Sequence, residues 1–582
     1  KKLTSFNGED RDPVWAADGK SFYYLSELNG SFNIFRRSPD GKDTQITSHN
    51  TNPVRFLTAS ADGTLCYGYD GEIYTVREGA QPKKLNIKIT ADNEGKNLIR
   101  QIQYYGASNI KLSPNGKEVG FVLHGDVYVT NLEYRTTKQI TDTPEQERNI
   151  DFAPDGRTIV YDSERNGLWQ IYATTIKDKD EKQFAYATAL EEERLTQSDS
   201  TSLCPQYSPD GKEIAFWENR CTLRVLNVKS KKVRTVMDGK YLFSYSDGDI
   251  DFAWSPDSKW LLSSYMGTGG WNCPDIALVD ASGNGKIHNL TNSGYSDVNA
   301  RWVLGGKAML FSSDRAGYRS HGSWGAEYDA YIMFFDLDAM EKFRMNKEER
   351  QLAKDNMTKK EKKEEEKKEK EEKKNADTPK PADVDELKFD LDNCRDRIIR
   401  LTVNSSNLGD AILDKDGENL YYKAAFEGGY DLWRHNLVDN RTELISKGIG
   451  GGYMLFDKDY KNLYFTSGGA IKKFDTASRT TKNIDFEATF NYKPYGERAY
   501  MFDHVWRQIK DKFYVDNLHN VDWDAYRKTY ERFLPYINNN FDFQEMLSEM
   551  LGELNASHTG ARYSGTWASL QTANLGLFYD ES

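Results

Sequence analysis

Towards the end of the sequence, Ser557 and His558 stand side by side in the string LGELNASHTG, directly after a stretch with helical periodicity. Histidine titrates near neutrality, at about pH 6.5 when unperturbed, and only its neutral imidazole can accept a proton. The pair alone is a weak signal, because adjacent Ser and His arise by chance in long chains. Other candidates are weaker. Cys66, Cys204, Cys221, Cys273 and Cys394 are scattered without C-x-x-C spacing, which reads as buried free thiols. The string GTGGWNCPD from Gly267 does not match G-x-G-x-x-G and precedes no helical pattern, so it reads as a tight loop and not as a phosphate cradle. His321 lies in a long polar and aromatic loop after Ser312, placed to face a channel or a partner, with no second metal ligand nearby. Neither a metal nor a cofactor is expected.

The elements that must hold the Ser-His pair are helical. Phe502, Val505, Trp506, Ile509 and Phe513 recur at helical spacing, as do Trp523, Tyr526, Tyr530 and Phe533. A third helix is expected to open with Asp542 as N-cap and Glu545 three residues on, a capping-box arrangement. Phe543, Met546, Leu547, Met550, Leu551 and Leu554 form its apolar face, and it should end near Asn555. Ser557 and His558 then fall in the loop just beyond it.

Everything before these helices is repetitive. SPDGK at Ser208 returns as AADGK at Ala16, SADGT at Ser60, SPNGK at Ser113, APDGR at Ala153 and SPDSK at Ser255, with fainter copies at Leu304, Asp414 and Asp457. Pro presets φ, Asp or Asn bonds to its own backbone, and Gly takes the left-handed position, so each copy is a hairpin turn. A strand such as Glu213 to Trp217 follows, then a second such as DVYVTN at Asp126, then a closing element: QIT at Gln139, RLT at Arg194, NLT at Asn289 or RLT at Arg400. Strands repeating at a period of roughly 40–55 residues mark propeller blades. Nine copies exceed the usual limit of about eight for one propeller, and the stretch from Ile87 to Tyr105 is irregular. The expected architecture is therefore mainly β: two blades over 1–92 ending one propeller, a closed seven-bladed propeller over 93–491, and a helical subdomain over 492–571.

A charged insert interrupts the later repeats at about 345–388. Lys359 to Lys374 contains only Lys and Glu, a composition that stays solvated as a lone helix or as disordered chain. The net charge of −12 argues against a nucleic-acid partner. No apolar run approaches the roughly 20 residues of a membrane span. The opening KKLTSFNGED has neither an initiator Met nor the apolar run of a secretory signal, and the scattered cysteines lean towards a reducing compartment.

The order of these parts, together with the string FQEMLSEMLGELNASHTGARY, resembles the tricorn protease family, relatives of the C-terminal processing serine peptidases. In that family a six-bladed and a seven-bladed propeller precede a helical subdomain, an adjacent Ser-His pair, a PDZ-like domain, and an α/β domain with the nucleophilic serine and a glutamate. The resemblance implies a serine peptidase acting on peptides, with the propellers gating or guiding them. It implies that His558 is the general base and that Ser557 orients the imidazole or links it to the glutamate. It further implies a hexamer in the cytoplasm, a periplasmic location being the alternative. Leu575 to Tyr579 would begin the PDZ-like domain over 572–582. The nucleophile, the glutamate and about four blades have no counterpart here, so this chain alone is expected to be inactive. Two other readings fit the blades: a TolB-like propeller that binds a protein without chemistry, and a prolyl-oligopeptidase-like enzyme. The second would lead into a G-x-S-x-G elbow, and neither needs LGELNASH after its last blade.

Overall fold

In the computed structural model the residues described are 2–88, 98–267, 270, 272–319, 326–356 and 386–564. The chain forms two compact units, Lys1–Lys96 and Asn97–Ser582. The boundary thus falls a few residues after the expected 92/93.

The first unit contains two four-stranded antiparallel sheets, over 10–45 and 55–84. Leu25 and Ile34 of one pack with Leu57, Leu65 and Tyr67 of the other.

The second unit contains seven such sheets, blades 1 to 7, over 108–139, 147–194, 202–237, 252–289, 297–400, 407–446 and 454–484. Each is a meander in which consecutive strands pair, and the recurring turn joins its first two strands. At the Ser208 copy, the serine hydroxyl donates to Asp210 at 2.7 Å and accepts from the Glu213 amide at 3.0 Å. The Asp210 carboxylate takes the Lys212 amide at 3.1 Å, and Gly211 has φ of 72°. The serine and aspartate of the motif therefore satisfy backbone and hydroxyl donors that the reversal would leave unpaired.

The closing elements also have a physical reason. In blade 1, the Thr141 hydroxyl accepts from the Val127 amide at 2.9 Å and donates to Asp126 at 3.1 Å. Blade 4 repeats this with Thr291, Ile276 and Asp275, and blade 5 with Thr402, Ala330 and Asp329. The last residue of QIT, NLT and RLT thus clasps the fourth strand to the third.

Apolar packing runs from blade to blade. Val129 meets Ile159 between blades 1 and 2, Ile171 meets Phe216 between 2 and 3, and Trp217 meets Phe252 between 3 and 4. Leu278 and Phe311 join blades 4 and 5, Leu310 and Leu420 join 5 and 6, and Leu432 and Phe465 join 6 and 7. Tyr464 and Ile471 of blade 7 then pack with Phe121 and Tyr128 of blade 1. Among the described residues, each of these seven blades thus shares an apolar cluster with the blade before it and the blade after it. Within the irregular stretch, Ile99–Gln103 is a strand paired antiparallel with Ala488–Tyr492, a long-range partner that local pattern cannot reveal.

First strands share a second device. Asn109, Asn149, Cys204 and Asn299 have φ between 48° and 57°, each at a register shift in its strand. An extra left-handed residue bends a strand. All four line a cavity of about 560 Å³ formed by the inner strands and loops of several blades.

The insert is packed at both of its described ends. Helices α1 (Leu337–Arg344) and α2 (Lys347–Asn356) follow blade 5's third strand. Arg350 of α2 reaches Glu418 at 3.1 Å and the Phe343 carbonyl at 3.0 Å. On the far side the Leu387 amide donates to Asp257, and Phe389 packs edge-on against Trp260. Within the expected insert of 345–388, Arg350 and Leu387 thus make contacts that a run of charges conceals. Lys359 to Lys374 lies outside the described residues, as do His321 and Leu575 to Tyr579.

Three helices end the described chain: α3 (Pro494–Lys512), α4 (Trp523–Glu531) and α5 (Asn540–Gly552). Phe502, Trp523, Tyr530, Phe543, Leu547 and Met550 are buried among them. The cap of α5 is Asn539, whose side chain accepts from the Asp542 amide at 2.9 Å, and not Asp542. The helix starts three residues earlier than expected because Asn539 is an equally good cap. The helices do not separate from the blades as a compact unit. Buried Glu164 of blade 2 accepts from Tyr500 at 2.6 Å and lies 2.5 Å from His504 Nδ1 and 3.4 Å from Arg507. His124 meets Glu497 at 3.1 Å, and Asp247 meets Lys512 at 2.9 Å, so α3 is ion-paired along its length.

Candidate active site

Helix α5 stops where its cap leads into a left-handed residue, Asn555, at φ of 48°. Leu554, fully buried, plugs the end of the helical core, and the chain then turns outward. Ser557 and His558 both lie exposed in the loop that follows, as expected from the end of the apolar pattern. His558 Nδ1 and Ser557 Oγ are 3.1 Å apart. In the tautomer with the proton on Nδ1, the imidazole donates to the serine oxygen and the Nε2 lone pair is left facing outward. That is the arrangement a general base requires. His558 itself is left-handed, at φ of 63°, in a region where non-glycine residues are uncommon.

Residues without a motif hold this loop. The Ser548 hydroxyl of α5 accepts from the Ala561 amide and donates to the Ala561 carbonyl, both at 3.1 Å. Gln544 donates to the same oxygen at 3.0 Å, which uses its remaining lone pair. Ala556 and Ala561 pack on the helical core, and the Thr559 hydroxyl closes the turn on the Ala556 carbonyl at 3.0 Å.

On the other side, His519 Nδ1 lies 3.0 Å from the Leu554 carbonyl, and its Nε2 meets the Tyr514 hydroxyl. His519 therefore donates through Nδ1 and accepts through Nε2. It sits in a run of three left-handed residues, Leu518, His519 and Asn520. Sequence reasoning missed Ser548 and His519, and no spacing signal marks either, since both act through partners distant in sequence. Among the described residues, no group of three or more His, Cys, Asp or Glu side chains could hold a metal ion.

Four-stranded propeller blades followed by a helical region that presents a Ser-His loop define a mainly β protein with a tricorn-like fold. Residues 494–552, the three helices, match the tricorn protease C1 domain family. Over nearly its whole length the chain is similar to Tricorn protease homolog 1 of Streptomyces coelicolor, at 22% identity across 99% of this chain and 54% of that protein. The crystal structure of the tricorn protease superposes with a TM-score of 0.70 at 14% identity, covering 96% of this chain and 51% of that one. The blades also match the Tol-Pal system protein TolB of Francisella tularensis, at 23% identity over 45% of this chain and 57% of TolB. The chain spans about half the length of the tricorn relatives it matches.

Proposed function

We propose that this chain is the front part of a tricorn-type serine peptidase that degrades peptides, with His558 as general base and Ser557 as the residue that orients its imidazole. The observation that carries this reading is the loop itself. An exposed imidazole stands 3.1 Å from a serine hydroxyl, pinned at both ends to the helical region that matches the C1 domain. In this scheme His558 takes the proton of the nucleophile's hydroxyl and returns it to the leaving amine. In this scheme the nucleophilic serine and the glutamate come from outside these residues, so the tests use the full-length protein. Residues 1–92 are the last two blades of a six-bladed propeller. A seven-bladed propeller over 93–491, a helical subdomain over 492–571 and the start of a PDZ-like domain at 572–582 complete the order. The propellers guide or gate peptides, and the assembly is a cytoplasmic hexamer.

The test is steady-state cleavage of a fluorogenic peptide by full-length wild type and His558→Ala, with circular dichroism as folding control. Retention of more than about a tenth of the activity would make His558 a bystander, since removing a general base costs orders of magnitude. The similarity to TolB supports a second reading, a protein-binding propeller without catalysis. Full-length protein that binds a partner and cleaves no peptide would favour it.

A further inference from the structure

A side pocket of about 150 Å³ opens beside the 560 Å³ cavity, and Asp251 lines both. Among the described residues, the group within hydrogen-bonding range of the Asp251 carboxylate is the Tyr453 hydroxyl, at 3.4 Å. The cations of the large cavity are engaged elsewhere. Arg301 donates to Asp410 at 2.7 Å and to the Met454 carbonyl at 3.3 Å, while Lys111 lies 3.5 Å from Asp151. The neighbouring Asp249 is taken up by its own loop, accepting from the Ser244 hydroxyl and the amides of Tyr245 and Ser246. Among the described residues, Asp251 is thus a carboxylate that lines both spaces without a strong donor. Burial pushes its carboxyl up, even against Arg301 and Tyr453, so a cation arriving there relieves an existing desolvation cost.

The pocket next to it has the complementary character. Leu242, Phe243, Tyr245, Met266, Pro274 and Val298 give it apolar walls, although Asp249, Ser264 and Asn299 line it as well. An apolar cavity of this size accommodates a molecule as large as benzene. Apolar walls ending in one under-bonded carboxylate suit an alkyl chain that carries a single positive head. A carboxylate or phosphate head is excluded by the charge of Asp251.

We infer that the Asp251 pocket is a binding site for a primary alkylammonium carried by a peptide, the alkyl stem lying against Phe243 and Met266 and the ammonium on Asp251. The ammonium donates to the carboxylate in a charge-assisted hydrogen bond, and the stem gains apolar contact. A lysine side chain and a peptide's free N-terminus share this chemistry. The inference rests on the peptide reading only for the carrier, because the binding step needs no catalysis.

The experiment is isothermal titration calorimetry on the full-length protein and its Asp251→Asn variant, with four probes. These are pentylammonium, pentaalanine with a free N-terminus, and Ala-Ala-Lys-Ala-Ala and Ala-Ala-norleucine-Ala-Ala, both blocked at each end. Pentylammonium and at least one charged peptide should bind at least tenfold more tightly than the norleucine peptide, and Asp251→Asn should lose at least tenfold. Binding by the blocked lysine peptide assigns the site to side chains, and binding by pentaalanine assigns it to chain ends. Equal affinity for lysine and norleucine peptides, an unchanged Asp251→Asn, or no pentylammonium binding overturns the inference. Should Asp251→Asn not fold, Phe243→Ala decides: a several-fold loss of pentylammonium affinity supports the site, and no loss overturns it. Pentylammonium contains no peptide bond, so its result stands whatever becomes of the peptidase reading.

Discussion

The hydroxyl of Ser548 grips Ala561 at both its amide and its carbonyl, each at 3.1 Å, and so ties the far end of the Ser557–His558 loop to the middle of the last helix. With Leu554 buried at the near end, the loop is held on both sides while its histidine stays in solvent. Several outcomes are expected from this arrangement and from the ion pairs beneath it.

Ser548→Ala should cost about 1 kcal/mol per lost hydrogen bond locally. Its clearest sign is faster hydrogen exchange at the Ala561 amide, read by NMR or mass spectrometry. Peptide cleavage by the full-length protein should fall about tenfold with little change in KM, because a looser loop misplaces a base without touching substrate. Protection at Ala561 equal to wild type would remove this role.

Ser557→Ala should reduce cleavage less than His558→Ala, since orienting a base is worth less than being one. Wild-type activity should fall in acid, because protonated imidazole accepts no proton. A pH profile of kcat/KM for both full-length proteins reads this directly. A flat profile from pH 5 to 8 would disconnect the histidine from catalysis.

Asp126, in the clasp of blade 1, has its carboxyl raised to about 7 by burial and by the adjacent Glu147. The folded state binds the proton more tightly than the unfolded state, so stability from this group falls as pH rises from about 4 to about 7. Asp126→Asn keeps an oxygen for Thr141 and removes the buried charge. Its melting temperature relative to wild type should therefore rise by a few degrees between pH 5 and pH 8. A difference that shrinks over that range would contradict the sign.

Glu164 behaves in the opposite sense. Burial alone would raise it, but His504, Tyr500 and Arg507 hold its carboxyl below the usual range. Its contribution is present above the ordinary carboxylate value of about 4.3 and is lost as pH falls through the lowered folded one. Glu164→Gln at neutral pH should free α3, visible as faster exchange over 494–512, and the difference from wild type should fade in acid. Unchanged exchange would mean that apolar contacts alone dock the helix.

Two deletions separate the packed and charged parts of the insert. Removing 357–380 with a short Gly/Ser link should leave the melting temperature within a few degrees, since that composition offers no apolar face. Removing 347–380 also takes Arg350 from Glu418 and should cost more. Equal melting of the two would show that α2 contributes nothing.

What the sequence determined by itself was local. Each blade was legible because its signals lie within one repeat: the Ser208 turn satisfies its own backbone, and the closing Thr141 reaches Val127 in the preceding strand of the same blade. The helical faces were legible for the same reason, since Phe502, Val505 and Ile509 repeat at the spacing of one helix and Met546 and Met550 at that of another. Ser557 and His558 stand out in the sequence as a pair because these neighbours in the chain are also neighbours in space. Only the tertiary structure decided the rest. The packing of Tyr464 and Phe121 into one cluster, the strand at Ile99–Gln103, the grip of Ser548 on Ala561 and the place of Asp251 on a pocket leave no local pattern. Each depends on groups brought together by packing, and a side chain's partner across the fold is set by which faces must leave water together, not by its spacing along the chain.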